Sequence, residues 1–312
     1  HGEPGERTLG GNSDFVIDPA WSADGSELVW HAWDVPNMAW DESYAVRCAV
    51  GRGAAVPIAD RIPQRQIQQP RYSADGALWD VCDADGWLNV RRNGQVVLAE
   101  PHEHAGPTWG PGQCSYAVSP DGRRVVLNRN ESGFGRLVLV DLGDNSAPPT
   151  VVEVAKGVHG QIRWVGDRVT ALRTGGRTPT QVVAYDTGVG SGPWARTTLA
   201  VGPVAEWSNV EEHLVEPELF EVSTYQGARV PVRAYRPVDP DARASGRMIC
   251  WVHGGPTDQW QVTFMPRITY WVSRGWTVLV PDHRGSTGHG RAFQQAMRNA
   301  WGTVDAQDVS AA

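Results

Sequence analysis

Residues 251–290 read WVHGGPTDQWQVTFMPRITYWVSRGWTVLVPDHRGSTGHG, and the alternation of apolar and glycine-rich segments within them sets the fold class. The apolar run RMICWV (247–252) enters a glycine turn at HGGP (253–256). A helix is predicted over 263–274, because Phe264, Ile268, Trp271 and Val272 fall three to four apart on one face, with Gly275 as its C-cap. The run WTVLVPD (276–282) then reads as a second strand, nearly continuous in apolar residues, as a strand covered on both faces requires. Strand, turn, helix, strand is the order of an α/β sheet. The 247–252 strand is expected to be well buried.

Working backward, LFEVSTYQGARVPVRAYRPV (219–238) reads as two strands about a turn at Gly227, and DPDARASG (239–246) as a surface loop. Between Trp207 and Glu218 the pattern changes, and Pro217 closes the break.

Ahead of that break the grammar is different. DPAWSADGSELVWHAW (18–33), QQPRYSADGALWDVCDADG (68–86), YAVSPDGRRVVLNRN (116–130) and IRWVGDRVTALRT (162–174) each join two strands through an Asp-Gly or Gly-Asp turn. Glycine supplies the positive φ that such turns need. Short strands recurring every 40 to 50 residues or so read as blades of a β-propeller, about four of them between 11 and 205. The alternative is one large sandwich built from the same strands. The stretches 144–150 and 188–193 read as outer loops.

One loop breaks the rhythm. HAWDVPNMAWDE (31–42) holds two Trp-Asp pairs and a further acid. Aromatic faces beside carboxylates hold cations, so Trp33, Asp34, Trp40, Asp41 and Glu42 are candidates to receive a peptide's free amino terminus. The same loop also reads as a clamp between blades, with both tryptophans packed and the acids capping turns.

Composition limits the rest. The chain has 312 residues, 41% hydrophobic and 20% charged, with 15 tryptophans and a formal charge of −7, which fits a globular protein of two ordinary domains. It carries no basic run for nucleic acid or anionic lipid and no apolar stretch of membrane-spanning length. The four cysteines, Cys48, Cys82, Cys114 and Cys250, form neither a metal motif nor a dense disulfide framework; they are expected to be structural thiols in a reducing, cytoplasmic compartment. His102 and His104 lack an evident third ligand, so no zinc site is expected. The polar, glycine-rich residues 1–11 are not a signal peptide, and without an initiator methionine the native N-terminus is expected upstream.

Two glycine features carry chemistry. His253-Gly254-Gly255-Pro256 follows a strand's C-terminal end, where open α/β sheets bind their ligands. There the backbone amides of Gly254 and Gly255 can stabilise the oxyanion formed when a carbonyl is attacked. The second feature, DHRGSTGHG (282–290), contains Ser286, but the glycine two residues before it is missing. No serine in the chain stands in the GxSxG elbow of an α/β hydrolase. Ser286 is therefore read as a loop residue, and Arg284 with Gly285 as organisers of that loop, held by a carboxylate such as Asp305 or Asp308.

These residues resemble the prolyl oligopeptidase family of serine peptidases, in its acylaminoacyl-peptidase and dipeptidyl-peptidase-like branch. The likeness is strongest in VHGGP (252–256), SRGWTVLVPDHRGSTGHGRAF (273–293) and WGTVDAQD (301–308), and extends to DVPNMAWD (34–41). The chain departs from the family pattern at Ala39 and His283, where relatives often carry proline. The resemblance implies an internal portion of a longer enzyme. Residues 1–208 would be the C-terminal blades of a seven- or eight-bladed propeller, 209–216 a hinge, and 217–312 the first part of an α/β-hydrolase domain ending before its nucleophile. It further implies hydrolysis of short peptides through an acyl-enzyme, with the catalytic Ser, Asp and His outside this chain, on a companion chain or continuation, and with no metal or organic cofactor. His253 would stand where some relatives use a tyrosine hydroxyl as an auxiliary donor. A catalytically inactive propeller serving as scaffold or peptide-binding module, and an esterase-type hydrolase, are the alternatives.

Overall fold

The SxDG segments close the same turn three times. In the computed structural model, which describes residues 9, 12–50, 58–143, 148–188, 194–202 and 211–312, the amides of Gly25, Gly76 and Gly122 each donate at 2.9 Å to the carbonyl of the serine three residues before. The intervening Asp24, Asp75 and Asp121 each accept from that serine's hydroxyl. The three glycines lie at φ of 71°, 81° and 71°, where a side chain is strained. Each turn joins the first two strands of a four-stranded antiparallel meander.

Four such sheets follow one another. The first is β1 (Phe15–Trp21), β2 (Glu27–Trp33), β3 (Tyr44–Ala49) and β4 (Ile58–Asp60). The second is β5 (Ile67–Tyr72), β6 (Leu78–Cys82), β7 (Asn89–Arg92) and β8 (Gln95–Val96). The third is β9 (Tyr116–Val118), β10 (Arg124–Glu131), β11 (Phe134–Asp141) and β12 (Thr150–Lys156). The fourth is β13 (Val158–Val165), β14 (Arg168–Gly175), β15 (Thr178–Asp186) and β16 (Ala195–Val201).

The sheets stack face to face in chain order. Strand alternation sends Val125 and Leu127 toward Trp79, Val81 and Val90 of the second sheet, while Val126 between them packs with Ile162, Trp164 and Val183 of the fourth. The third sheet is therefore apolar on both faces and sandwiched between neighbours. A two-sheet sandwich cannot produce this, so the stack is propeller-like.

A second repeat has no sequence signature. β1, β5 and β13 each shift register at a bulge, where Asp18, Gln69 and Gln161 adopt φ of 55°, 54° and 52°. All three side chains turn to one segment. Asp18 accepts from the Gly112 amide at 2.6 Å, Gln161 donates to the Gly112 carbonyl at 3.0 Å, and Gln69 accepts from the Ser115 amide at 2.9 Å. The 107–115 segment is thus tied to the first strands of three sheets.

After a 3-10 turn at Glu211–His213, a mixed sheet forms in the order β17 (Glu218–Ser223), β18 (Arg229–Tyr235), β20 (Thr277–Pro281) and β19 (Met248–Cys250). A short helix, α1 (Pro240–Ala244), precedes β19, and α2 (Pro266–Val272) links β19 to its parallel neighbour β20. α3 (Gly290–Gln295) and α4 (Val304–Ala311) follow. Ile268 and Val272 of α2 cover one face of the sheet against Tyr235, Val278 and Val280. Val232, Ala234 and Leu279 face the other way, toward Phe220 and Ala312.

Four expectations need correcting. The surface stretch 239–246, read as a loop, forms helix α1 at Pro240–Ala244, because Asp239 caps it by accepting from the Asp241 amide and proline suits its first position. The helix placed at 263–274 spans Pro266–Val272, because proline suits the first helical position and disfavours helical geometry in the residue before it; Phe264 stays outside, its amide donating to Thr174 Oγ1 at 2.9 Å. The strand expected to be buried at 247–252 is a three-residue strand with Met248 51% exposed. It pairs with β20 on one side only among the described residues. Cys250, on that strand, is exposed, whereas Cys48, Cys82 and Cys114 are buried. The hinge at 209–216 is described from Glu211 onward; residues 209–210, residues 144–147 and 189–193 of the outer loops, and residues 1–8 of the polar start lie outside the described residues.

Candidate functional site

β19 gives its last ladder contact through the Trp251 amide, which donates to Leu279 O at 2.7 Å. The chain then turns out of the sheet at His253-Gly254-Gly255-Pro256. Gly254 and Gly255 are exposed, and among the described residues neither amide donates to any protein group. Gly255 sits at φ 126°, and a Cβ there would lie 3.1 Å from the Thr257 nitrogen and 3.2 Å from Asp258 Cβ. Both conformation and space require glycine at this position.

His253 anchors the turn from below. It is buried, stacked on the His283 ring with centroids 4.5 Å apart. Its Nδ1 lies 3.0 Å from the Gly254 carbonyl and its Nε2 2.8 Å from Ser286 Oγ. Nδ1–H donates to the Gly254 carbonyl, so Nε2 of the neutral ring accepts from the Ser286 hydroxyl, whose oxygen also lies 2.7 Å from His283 O. Burial lowers the His253 pKa, and the nearby His283 ring lowers it further. Both ring nitrogens are occupied within the chain, and Ser286 is fully buried.

The segment after the turn is stitched to the stacked sheets. Trp109 Nε1 donates to Thr257 O at 3.0 Å, and the Val262 amide to Gly133 O at 2.8 Å. Gln259 accepts from Asn130 Nδ2 at 2.6 Å and donates to Asp282 Oδ2 at 2.7 Å. Asp282, fully buried, also pairs with the buried Arg233 and accepts from His289 Nε2 at 2.7 Å. Burial alone would raise the Asp282 pKa; the Arg233 charge and the hydrogen bonds from His289 and Arg233 overcome it and hold the group below the usual carboxylate range. A cavity of about 350 Å³ lies between this segment and the sheets, lined by Trp109, Asn128, Asn130, His159, Asp258 and Gln259 among others.

The acid-tryptophan loop reaches the same region through its aromatic side. Trp40 is buried with its ring 4.3 Å from that of Trp109, whereas Trp33 stacks on Phe15 away from the turn, at 5.1 Å. Asp34 and Glu42 both hold Arg61, at 2.6 and 3.4 Å. Asp41 accepts from the Met38 amide at 3.1 Å and, with Glu42, lines a second cavity of about 750 Å³ beside Arg291, Gln295 and Arg298. Arg284 is held by Asp308, its backbone amide and guanidinium both donating to that buried carboxylate. Gly285 lies at φ 101°, with Met297 so near that any Cβ would collide with it.

Sequence reasoning passed over Trp109 and Gln259. Only the exposed-looking Trp109 beside Gly110-Pro111-Gly112 offered a signal, an aromatic in a loop with no strand to pack on. His104 is buried, accepting from the Val90 amide and donating to Glu100, and no group of three or more metal-ligating side chains occurs among the described residues. No described helix is long and apolar enough to cross a membrane.

Stacked four-stranded sheets set against a mixed α/β sheet, with free amides on a glycine turn at their seam, define a β-sheet stack seated on an α/β unit. The comparisons agree. Residues 262–312 match the model of the prolyl oligopeptidase family. A puromycin-hydrolyzing peptidase of Mycobacterium tuberculosis superposes with a TM-score of 0.86 at 28% identity, over 98% of this chain and 48% of its own. A crystal structure of puromycin hydrolase gives 0.82 at 26%, over 96% and 46%. Dipeptidyl-peptidase 5 of Arthroderma otae is 24% identical over 261 residues, 81% of this chain and 33% of its own length. The match assigns residues 262–312 to the prolyl oligopeptidase family, and the chain spans about a third of the length of the curated relatives it matches.

Proposed function

We propose that the full-length polypeptide is a serine peptidase acting on short peptides and small aminoacyl amides through an acyl-enzyme. In this reading the four sheets are blades of a β-propeller, residues 1–208 its C-terminal part, 209–216 the hinge, and 217–312 the opening of an α/β-hydrolase domain. The observation that carries the proposal is the pair of exposed, unpartnered amides at Gly254 and Gly255, after the C-terminal end of a strand and just before the Asp258–Gln259 segment that lines the cavity beneath the sheets. The puromycin-hydrolysing activity ascribed to two solved relatives supports the extension to aminoacyl amides.

A serine outside residues 1–312 attacks the scissile carbonyl while a histidine, oriented by an aspartate, takes its proton. Negative charge grows on the carbonyl oxygen, and the Gly254 and Gly255 N–H groups stabilise it; one such donor is worth roughly 10²–10³ in kcat. The histidine returns the proton to the leaving amine, and water then hydrolyses the acyl-enzyme. His253 and Ser286 hold the turn's geometry and do not touch substrate. Arg284 and Gly285 organise the adjoining loop. Trp40 shapes the cavity wall through Trp109, Asp41 and Glu42 line the second cavity, Asp34 is held by Arg61, and Trp33 packs on Phe15.

Labelling the full-length polypeptide with a fluorophosphonate, followed by peptide mass spectrometry, tests this. One serine adduct outside residues 1–312 is expected. No adduct, or an adduct on Ser286, contradicts the proposal.

A further inference from the structure

Three carboxamides stand where the packing of sheets calls for apolar side chains. Gln66, just ahead of β5, and Gln68 and Gln69 within it are each 2% exposed or less. A buried carboxamide is costly unless its donors and acceptors find partners. Here they find them mainly in one another. Gln66 Nε2 donates to Asp83 Oδ2 at 3.2 Å, Gln68 Nε2 to Gln66 Oε1 at 3.2 Å, and Gln69 Nε2 to Gln68 Oε1 at 3.2 Å. Gln69 Oε1 accepts from the Ser115 amide at 2.9 Å. A regular strand sends adjacent side chains to opposite faces; the bulge at Gln69, with φ 54°, brings its side chain beside that of Gln68.

The two ends of this chain of amides fix its direction. The Asp83 carboxylate, also held by Arg291 of α3 at 2.6 Å, only accepts, and the Ser115 backbone N–H only donates. Each carboxamide must therefore turn its NH2 group toward Asp83 and its oxygen toward Ser115. One inverted amide would set two oxygens or two NH2 groups against each other. A buried network connected in this way is rigid. It also closes the base of a loop. Gln68 Nε2 donates to Gly106 O at 3.1 Å, and Gln69 grips Ser115 through both its backbone amide and its hydroxyl. Between those two anchors stands Trp109, whose indole N–H holds the Thr257 carbonyl.

We propose that Gln68 is a positioning residue for the candidate active site. Through the loop between Gly106 and Ser115 it fixes Trp109, and Trp109 fixes the segment that follows Gly254 and Gly255. The proposal deepens the reading of those glycines as oxyanion donors and rests on it. Gln68 is the member of the chain that ties the other amides to Gly106. Leucine in its place would fill the volume, yet take a partner from Gln66 Oε1, Gln69 Nε2 and the Gly106 carbonyl. The loop would then lose its grip at one end, and the indole its fixed aim at Thr257.

The experiment measures kcat/KM on a dipeptidyl aminomethylcoumarin substrate with the full-length polypeptide and its Gln68→Leu, Trp109→Phe and doubly substituted variants. Gln68→Leu should lower kcat/KM by about tenfold. Trp109→Phe keeps a ring and loses the N–H donor; in that background the same change should cost only about twofold, because the route is already cut. Losses that simply multiply overturn the proposal, as does a Gln68→Leu variant as active as the wild type. Gln68→Glu carries the test where Gln68→Leu does not fold. It keeps the volume and supplies a donor only when protonated, and burial favours that form. Its kcat/KM relative to wild type should therefore be low at pH of about 8 and rise severalfold toward pH of about 6. Activity equal to wild type at every pH overturns the proposal. A wild type that neither hydrolyses the substrate nor takes a fluorophosphonate adduct overturns the peptidase reading itself.

Discussion

Arg291 of α3 donates to the Asp83 carboxylate at 2.6 Å, across the seam between the last helices and the second sheet. Both side chains are almost fully buried, and Arg291 also donates to the Asp41 carbonyl at 2.7 Å, so one guanidinium clasps two sheets of the stack. Breaking such a pair from one side strands a buried charge, at about 3–5 kcal/mol. Arg291→Met should lower the unfolding free energy of the full-length polypeptide by that order. Adding Asp83→Asn should restore part of the loss in a double-mutant cycle. Changes within about 0.5 kcal/mol, typical of surface sites, would contradict the clasp.

Glu103 gives the same seam a pH dependence. Its carboxylate, 4% exposed, accepts from the Leu88 amide at 2.6 Å and from the Gly290 amide at 3.1 Å. Burial pushes its pKa up to about 7, with the Asp83 charge adding to the rise against the hydrogen bonds from the Leu88 and Gly290 amides. Between the unfolded value of about 4.5 and 7, the folded state holds a proton that the unfolded chain releases. Stability from this group is therefore greatest at low pH, declines across that window, and is level above it. The melting temperature should fall between pH 5 and 8 more steeply in the wild type than in Glu103→Gln. Parallel profiles would refute this.

Gln259 couples the third sheet to the glycine turn through Asn130 on one side and Asp282 on the other. Gln259→Leu leaves both partners without their hydrogen bond, at about 1–3 kcal/mol each. Because the displaced segment carries Gly255 and Asp258, kcat should drop at least tenfold while KM changes less. A purely structural role would lower the melting temperature and leave kcat in place.

Much of this was legible in the chain. The SADG and SPDG turns announced three of the four meanders because each uses a local Ser-Asp pair and a glycine at positive φ, all within four residues. HGGP was legible for the same reason, since close backbone approach demands glycine. What escaped was set by partners far along the chain. Nothing near Asp34 or Glu42 reveals that Arg61 will neutralise them, and Asp258 looks like an ordinary turn residue until the cavity beside it is seen. The bulges at Asp18, Gln69 and Gln161 place ordinary residues at positive φ, a strain that the 107–115 segment stabilises and that no local motif encodes. The 247–252 run was read as buried from its apolar content, yet a strand's burial depends on how many neighbours it has, which composition does not specify.

The central claim is that the free amides of Gly254 and Gly255 receive the oxyanion. A crystal structure of the full-length polypeptide carrying a peptidyl phosphonate on its nucleophile measures this directly. The account predicts a phosphonyl oxygen 2.7–3.1 Å, or about that, from at least one of the two nitrogens. An oxygen bound instead by other donors, with both glycine amides facing solvent, would contradict it.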